Sequence, residues 1–184
     1  MKTSIIATGR SLKDFDFSTI EGHKIVVNYA SDYVEGYDIA VAIDNPKRHK
    51  FKIDERLYTH ECWKPELGDR CNYFKKKGYK GIDRREGFVT GYNNSLFAAI
   101  NLALNWGYTE IDVYGADMCL IDGYSHFYST EVANAKDRST YNRVFHRCRT
   151  FKQSFMIQLE DDEQINWINE QPEKMFNGAC LIED

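Results

Sequence analysis

The chain predicts one α/β domain built on an open, mainly parallel sheet with helices on both faces. Three successive apolar runs, Ser4-Ile5-Ile6-Ala7, Lys24-Ile25-Val26-Val27 and Ile39-Ala40-Val41-Ala42-Ile43, each finish at small polar residues: Thr8-Gly9, Asn28 and Asp44-Asn45. Continuous apolar runs are what parallel strands buried on both faces require, and their carboxyl ends then share one edge of the sheet. A second observation is the stretch from Phe88 to Tyr128, which reads as loop, helix, strand and polar loop, with Gly115-Ala116-Asp117 directly after the strand. A carboxylate at that point lies where open α/β sheets keep their ligands. The third is length: 184 residues suffice for one domain with a proper core and are too few for two ordinary ones.

Taken in order, the first run leads into Thr8-Gly9-Arg10-Ser11-Leu12, a tight turn in which Gly9 lets the backbone come close to a ligand. Ser11 can cap the next helix or bond a phosphate or ribose. The second and third runs give strands ending at Asn28 and at Asp44-Asn45-Pro46, so Ser11, Asn28, Asn45 and Asp117 are expected to line one crevice. From about 47 to 87 the pattern weakens and reads as a variable insertion: Glu55 to Thr59 has the character of a strand, and Asp69 to Lys77 of a short helix or loop.

Asn94 and Ser95 are both N-cap candidates for a helix whose apolar positions, Leu96, Phe97, Ile100, Ala103 and Leu104, recur at helical spacing and stop at Gly107. Asn101 and Asn105 fall on the other side of that helix. Glu110 to Tyr114 is the following strand, and residues around 118–130 form a short lid rich in polar and aromatic groups. Thr130 to Phe155 reads as a long helix, Glu163 to Asn169 as the last strand and Glu170-Gln171-Pro172 as a turn.

Composition bounds the partners. Net charge is −4, which gives no general reason to expect nucleic acid. Two local basic clusters, Lys47-Arg48-His49-Lys50 with Lys52, and Lys75-Lys76-Lys77, read as solvated faces, of which the first can also meet phosphates. The five cysteines, Cys62, Cys71, Cys119, Cys148 and Cys180, are odd in number and lack metal-type spacing. Together with the absence of a signal peptide or a spanning apolar run, they predict reduced thiols in a cytoplasmic protein.

The set Ala7-Thr8-Gly9-Arg10-Ser11-Leu12, Asn28, Asn45-Pro46, Asn94-Ser95, Gly107-Tyr108 and Gly115-Ala116-Asp117 resembles, in order and spacing, a bacterial sialyltransferase-like group. A related group resembles archaeal hydroxymethylpterin pyrophosphokinases, and short members occur in bacteriophages. Thr8 stands where that family has asparagine, Arg10 where it has proline, and Leu96 where it has glycine. The resemblance implies a Rossmann-like, GT-A-like variant of the α/β sheet spanning 1–184, with a nucleotide-sugar site. By position Thr8, Gly9, Ser11, Asn28, Asn45, Asn94 and Ser95 would hold the nucleotide. By type Tyr124 and Tyr128 match the lid tyrosines that meet phosphate, and His126 the lid histidine that acts as base.

Such chemistry needs donors for the leaving phosphate and a base whose pKa lies near neutrality. His126 can supply the base or be a surface or capping histidine. Asp117 can act in catalysis by orienting a donor hydroxyl, bind a metal, or cap a turn, and no second carboxylate at a convincing spacing makes a metal site. Three functions are therefore open. The first is a glycosyltransferase acting without metal or other cofactor on a glycan, a small molecule or modified DNA. The second is a nucleotide or nucleotide-sugar binder without catalysis, and the third a Mg²⁺-dependent pyrophosphokinase-like phosphotransferase. A homo-oligomer that completes the short lid is a further expectation.

Overall fold

A computed structural model describes residues 1–78, 81–90 and 94–168. Eight strands run through it: β1 Lys2–Ile6, β2 Lys24–Val27, β3 Ile39–Ala42, β4 Leu57–His60, β5 Asn72–Lys76, β6 Phe88–Val89, β7 Glu110–Tyr114 and β8 Gln164–Ile168. Their order is β6-β5-β4-β3-β2-β1-β7-β8, and every pairing is parallel. The helices are α1 Lys64–Leu67, α2 Ser95–Asn105 and α3 Ala135–Met156.

Alternation along the strands divides the core in two. Ile5, Ile25, Val27, Val41, Ile111 and Val113 point to one face, where α2 and the carboxyl half of α3 cover them. Phe97 of α2 meets Phe151 and Phe155 of α3 at 4.8 and 5.4 Å. On the opposite face Ile6, Val26, Ala40, Ala42 and Leu57 are covered by 3-10 turns at Arg10–Leu12, Phe17–Thr19 and Asn28–Asp32, by Phe51, and by one-turn α1 through Leu67. Both faces are thus covered, unevenly, with the two long helices together on one of them.

This division follows from chain direction. From β1 to β5 the strands are added outward on one side of β1 with their connections on the second face, and the segment leading on to β6 packs through Ile82 and Asp83 against α2 on the first face. After β6 the chain returns by α2 to β7, on the other side of β1, and continues by α3 to β8, with both connections on the first face. A constant crossover hand requires that switch of face when the direction of winding reverses. β1 and β7 are therefore neighbours whose exits diverge, which opens a crevice between their carboxyl ends.

Several sequence expectations change. The stretch Asp69 to Lys77, expected as helix or loop, contains β5, which pairs with β4 from Tyr58↔Asn72 to His60↔Phe74. Its only buried side chain is Phe74, so the apolar signal of a strand is nearly missing. Residues 47–87 thereby supply two of the eight strands, β4 and β5. Asn101 and Asn105, expected on the polar side of α2, turn inward on the segment before it: Asn101 is fully buried, its Oδ1 accepting the amides of Asp83 and Thr90, and Asn105 donates to the Phe88 carbonyl. The long helix starts at Ala135 rather than Thr130, because Asn134 caps it by accepting the Asp137 amide. Asn169, the turn at Pro172 and Cys180 lie outside the described residues. Among the described residues no helix is long and apolar enough to cross a membrane.

Candidate functional site

The crevice between β1 and β7 holds a cavity of about 290 Å³. Its floor is made by the two strand exits. Ala7 donates to the Tyr114 carbonyl at 2.9 Å and Gly9 to the Gly115 carbonyl at 2.8 Å, which extends the β1–β7 pairing past the strands. A β-carbon on Gly9 would sit 2.7 Å from Asp117 Cγ, so only glycine fits this approach. Asp117 is 3% exposed; its Oδ2 accepts the Ser11 amide at 2.8 Å and its Oδ1 the Ser11 hydroxyl at 2.5 Å. The carboxylate therefore stitches the loop after β7 to the loop after β1.

The start of α2 forms a second wall. Of the two cap candidates Asn94 is the N-cap, its Oδ1 accepting the Leu96 amide at 2.9 Å while its amide group donates to Cys148 Sγ. The Ser95 hydroxyl accepts the Ile43 amide at 3.0 Å and so anchors the helix to the end of β3. Asn28, at the end of β2, adopts a left-handed backbone with φ of 52°, and its buried Oδ1 has no hydrogen-bond partner among the described residues. Acceptors buried without a partner are costly, so an acceptor beside a cavity is suited to a donor group on a ligand.

The lid closes the site. Phe127 donates its amide to the Thr8 carbonyl, and the Arg10 guanidinium bonds the carbonyls of Phe127 and Ser129, both at 3.2 Å, while lying 4.0 Å from the centre of the Tyr124 ring. These contacts carry His126 into the cavity wall, with Nδ1 3.1 Å from the Thr8 hydroxyl and the ring stacked on Tyr128. Burial lowers the His126 pKa below the ordinary histidine value, partly offset by the Thr8 backbone, so the ring is neutral at pH 7. Burial also raises the Tyr128 phenol, which sits between His126 and Tyr33.

Of the residues expected to form the site, Thr8, Gly9, Asn28, Asn94, Ser95, Asp117 and His126 line the one cavity. Ser11 does not line it and spends its polar groups on Asp117. Asn45 also turns away: its Oδ1 accepts the amides of Lys47 and Arg48, and its neighbour Asp44 faces the cavity instead. Tyr124 and Tyr128 line a different cleft of about 570 Å³, on the other side of the lid, with Arg10, Phe17, Tyr33 and Phe127.

Four wall residues come from α3, which sequence reasoning treats as core alone: Tyr141, Val144, Phe145 and Cys148. The signal for them is the length of the apolar stripe. Its carboxyl half, Phe151 and Phe155, is buried against α2, whereas Val144 is 41% exposed and lines the cavity. The Cys148 thiol is pushed up to about 11, chiefly by burial, which leaves it protonated and unsuited to nucleophilic attack at neutral pH. Among the described residues the cavity wall carries no lysine or arginine, and no cluster of three metal-ligating side chains occurs.

The fold and site define an α/β protein with an open parallel sheet and a ligand-sized crevice at the point where the winding reverses. No family model matches the chain, and neither does any curated protein or solved structure.

Proposed function

We propose that the protein binds a nucleotide-activated sugar in this crevice and transfers the sugar to a hydroxyl acceptor, as a glycosyltransferase of the sialyltransferase-like kind on a Rossmann-like, GT-A-like sheet. The observation that carries the reading is a histidine kept neutral by burial in the wall of a cavity at the reversal point between β1 and β7. With Nδ1–H donated to the Thr8 hydroxyl, Nε2 of His126 keeps its lone pair to take the proton of the acceptor hydroxyl as the glycosidic bond forms. Direct displacement of this kind inverts the sugar carbon and releases the nucleotide with its phosphate. Asn28, Asn94 and Asp44 are the polar groups that orient the nucleoside, and Asp117 acts by holding Ser11 in position rather than as a base. The acceptor is a glycan, a small molecule or modified DNA.

A second reading, a nucleotide binder without catalysis, is favoured by one observation. About 290 Å³ lies near the lower bound of roughly 300 Å³ for small-molecule pockets, room for a nucleoside without the sugar to be transferred. Thermal-shift measurements with CMP, UDP, GDP and ADP sugars, each with and without Mg²⁺, followed by a turnover assay on the form that binds, decide between the two. Transfer or donor hydrolysis that is lost in His126→Ala supports the transferase. A shift without turnover supports the binder, a shift only with Mg²⁺ points to phosphotransfer, and no shift by any of them removes the nucleotide reading.

A further inference from the structure

The cavity's size and charge leave one part of a nucleotide without a place. Its described wall holds no lysine or arginine, while two carboxylates, Asp44 and Asp117, face it. A diphosphate loses its hydration there without gaining donors of opposite charge, which is unfavourable. The phosphates of a ligand whose nucleoside fills the cavity therefore lie at the mouth.

Arg10 is the cation closest in sequence to the cavity residues Thr8 and Gly9, and it is committed. Its guanidinium is bonded to two lid carbonyls and stacked on Tyr124, a residue of the other cleft. The chain leaving Asp44 offers a different set. It turns at once, with Asn45 Oδ1 accepting the amides of Lys47 and Arg48 at 2.9 and 3.2 Å and the His49 amide bonding back to the Asn45 carbonyl. Lys47, Arg48 and Lys50 project from this turn, are exposed, and make no ion pair among the described residues. Lys52 is different, being paired with Asp54 at 3.2 Å. An aromatic path joins the turn to the cavity wall: His49 stacks on Phe51 and lies 3.5 Å from the Tyr29 hydroxyl, the Tyr29 ring meets Tyr128, and Tyr128 stacks on His126.

We propose that Lys47, Arg48 and Lys50 are the phosphate subsite of a nucleoside diphosphate whose nucleoside occupies the cavity. The inference rests on the nucleotide reading and adds to it the orientation of the ligand and the groups that meet its charge. Asp44, between cavity and turn, accepts the ribose hydroxyls, the same division of labour by which α/β sheets pair an acidic residue with ribose and direct the phosphates to separate donors.

The test is calorimetric titration of the full chain, at low ionic strength, with adenosine, guanosine, cytidine and uridine and with the four corresponding diphosphates. For the base that binds, the diphosphate is expected to bind about tenfold more tightly than the nucleoside, the worth of one charge-assisted hydrogen bond. That advantage is expected to shrink with added salt and to vanish in the Lys47→Ala, Arg48→Ala, Lys50→Ala variant, whose nucleoside affinity stays unchanged. The charge-reversed Arg48→Glu, Lys50→Glu variant is expected to bind the diphosphate more weakly than the nucleoside. A nucleoside that binds as well as its diphosphate, or an advantage that survives in both variants, overturns the inference while the cavity keeps its nucleoside. Failure of all eight compounds to bind overturns the inference and the nucleotide reading together.

Discussion

Asp117 accepts both the amide and the hydroxyl of Ser11, although 106 residues separate them. The pair locks the loop after β1 to the loop after β7, and the crevice depends on both loops. Asp117→Asn is expected to cost about 1.5–3 kcal/mol, the range for a buried hydrogen bond to a charged group, and Ser11→Ala about 1 kcal/mol, since the amide bond survives. Urea denaturation of the two single variants and the double variant measures this. Because the residues are in contact, the double variant should cost less than the sum.

Gly9 admits no side chain, because a β-carbon there meets the Gly115 carbonyl, which accepts the Gly9 amide itself, and the Asp117 carboxylate, which Ser11 holds. Gly9→Ala is expected to lower stability by about 1–3 kcal/mol, as overpacking does, and to abolish ligand-induced thermal shifts by moving the Ser11 loop off Asp117. A melting temperature equal to that of the unchanged protein would contradict the close approach.

Burial lowers the pKa of His126, and burial followed by Lys76 lowers that of His60. In the unfolded chain each titrates near 6.5. Below that value the unfolded state takes up protons that the folded state refuses, so stability is complete above pH 6.5 and falls as pH drops toward the depressed folded values. His126→Gln is expected to flatten this slope, read from denaturation midpoints across the range. For the same reason the acid limb of a His126-dependent rate lies below about pH 6.5.

Arg10 pins the lid through two carbonyls and the Tyr124 ring. Arg10→Ala removes all three contacts at once. Amide exchange between residues 120 and 132 should accelerate, while exchange in β1 and β7 stays slow, because these strands keep their ladder. Equal acceleration in the lid and the sheet would mean that Arg10 supports the whole domain instead.

Strands β1, β2, β3, β7 and β8 were legible, and Glu55 to Thr59 anticipated β4; burial on both faces makes β2 and β3 unbroken apolar runs such as Ile25-Val26-Val27, while in β7 Asp112 interrupts the run. The sequence Asn72-Tyr73-Phe74-Lys75-Lys76 hides β5, since one phenylalanine suffices once β4 offers an edge to pair with. At the site, residues set by backbone position, Thr8, Gly9, Asn28 and Asn94, were readable from strand and helix ends. Asn45 and Asp44 exchanged roles because local turn chemistry drew the Asn45 side chain to its own backbone, as short polar side chains do. Tyr141 and Val144 were missed because an apolar stripe looks the same whether it faces a sheet or a cavity.

The adjacency of β1 and β7 also fixes when the crevice can come into being. Lys2 meets Glu110 across 108 residues, whereas β1 reaches β2 within about one loop. A chain emerging from the ribosome can assemble β1 to β6 in turn, each strand beside its predecessor, and still have only half of its cavity floor. The floor closes when the segment through Asp117 has emerged and the wall only when α3 follows, so ligand binding reports a late long-range step of folding and not the first.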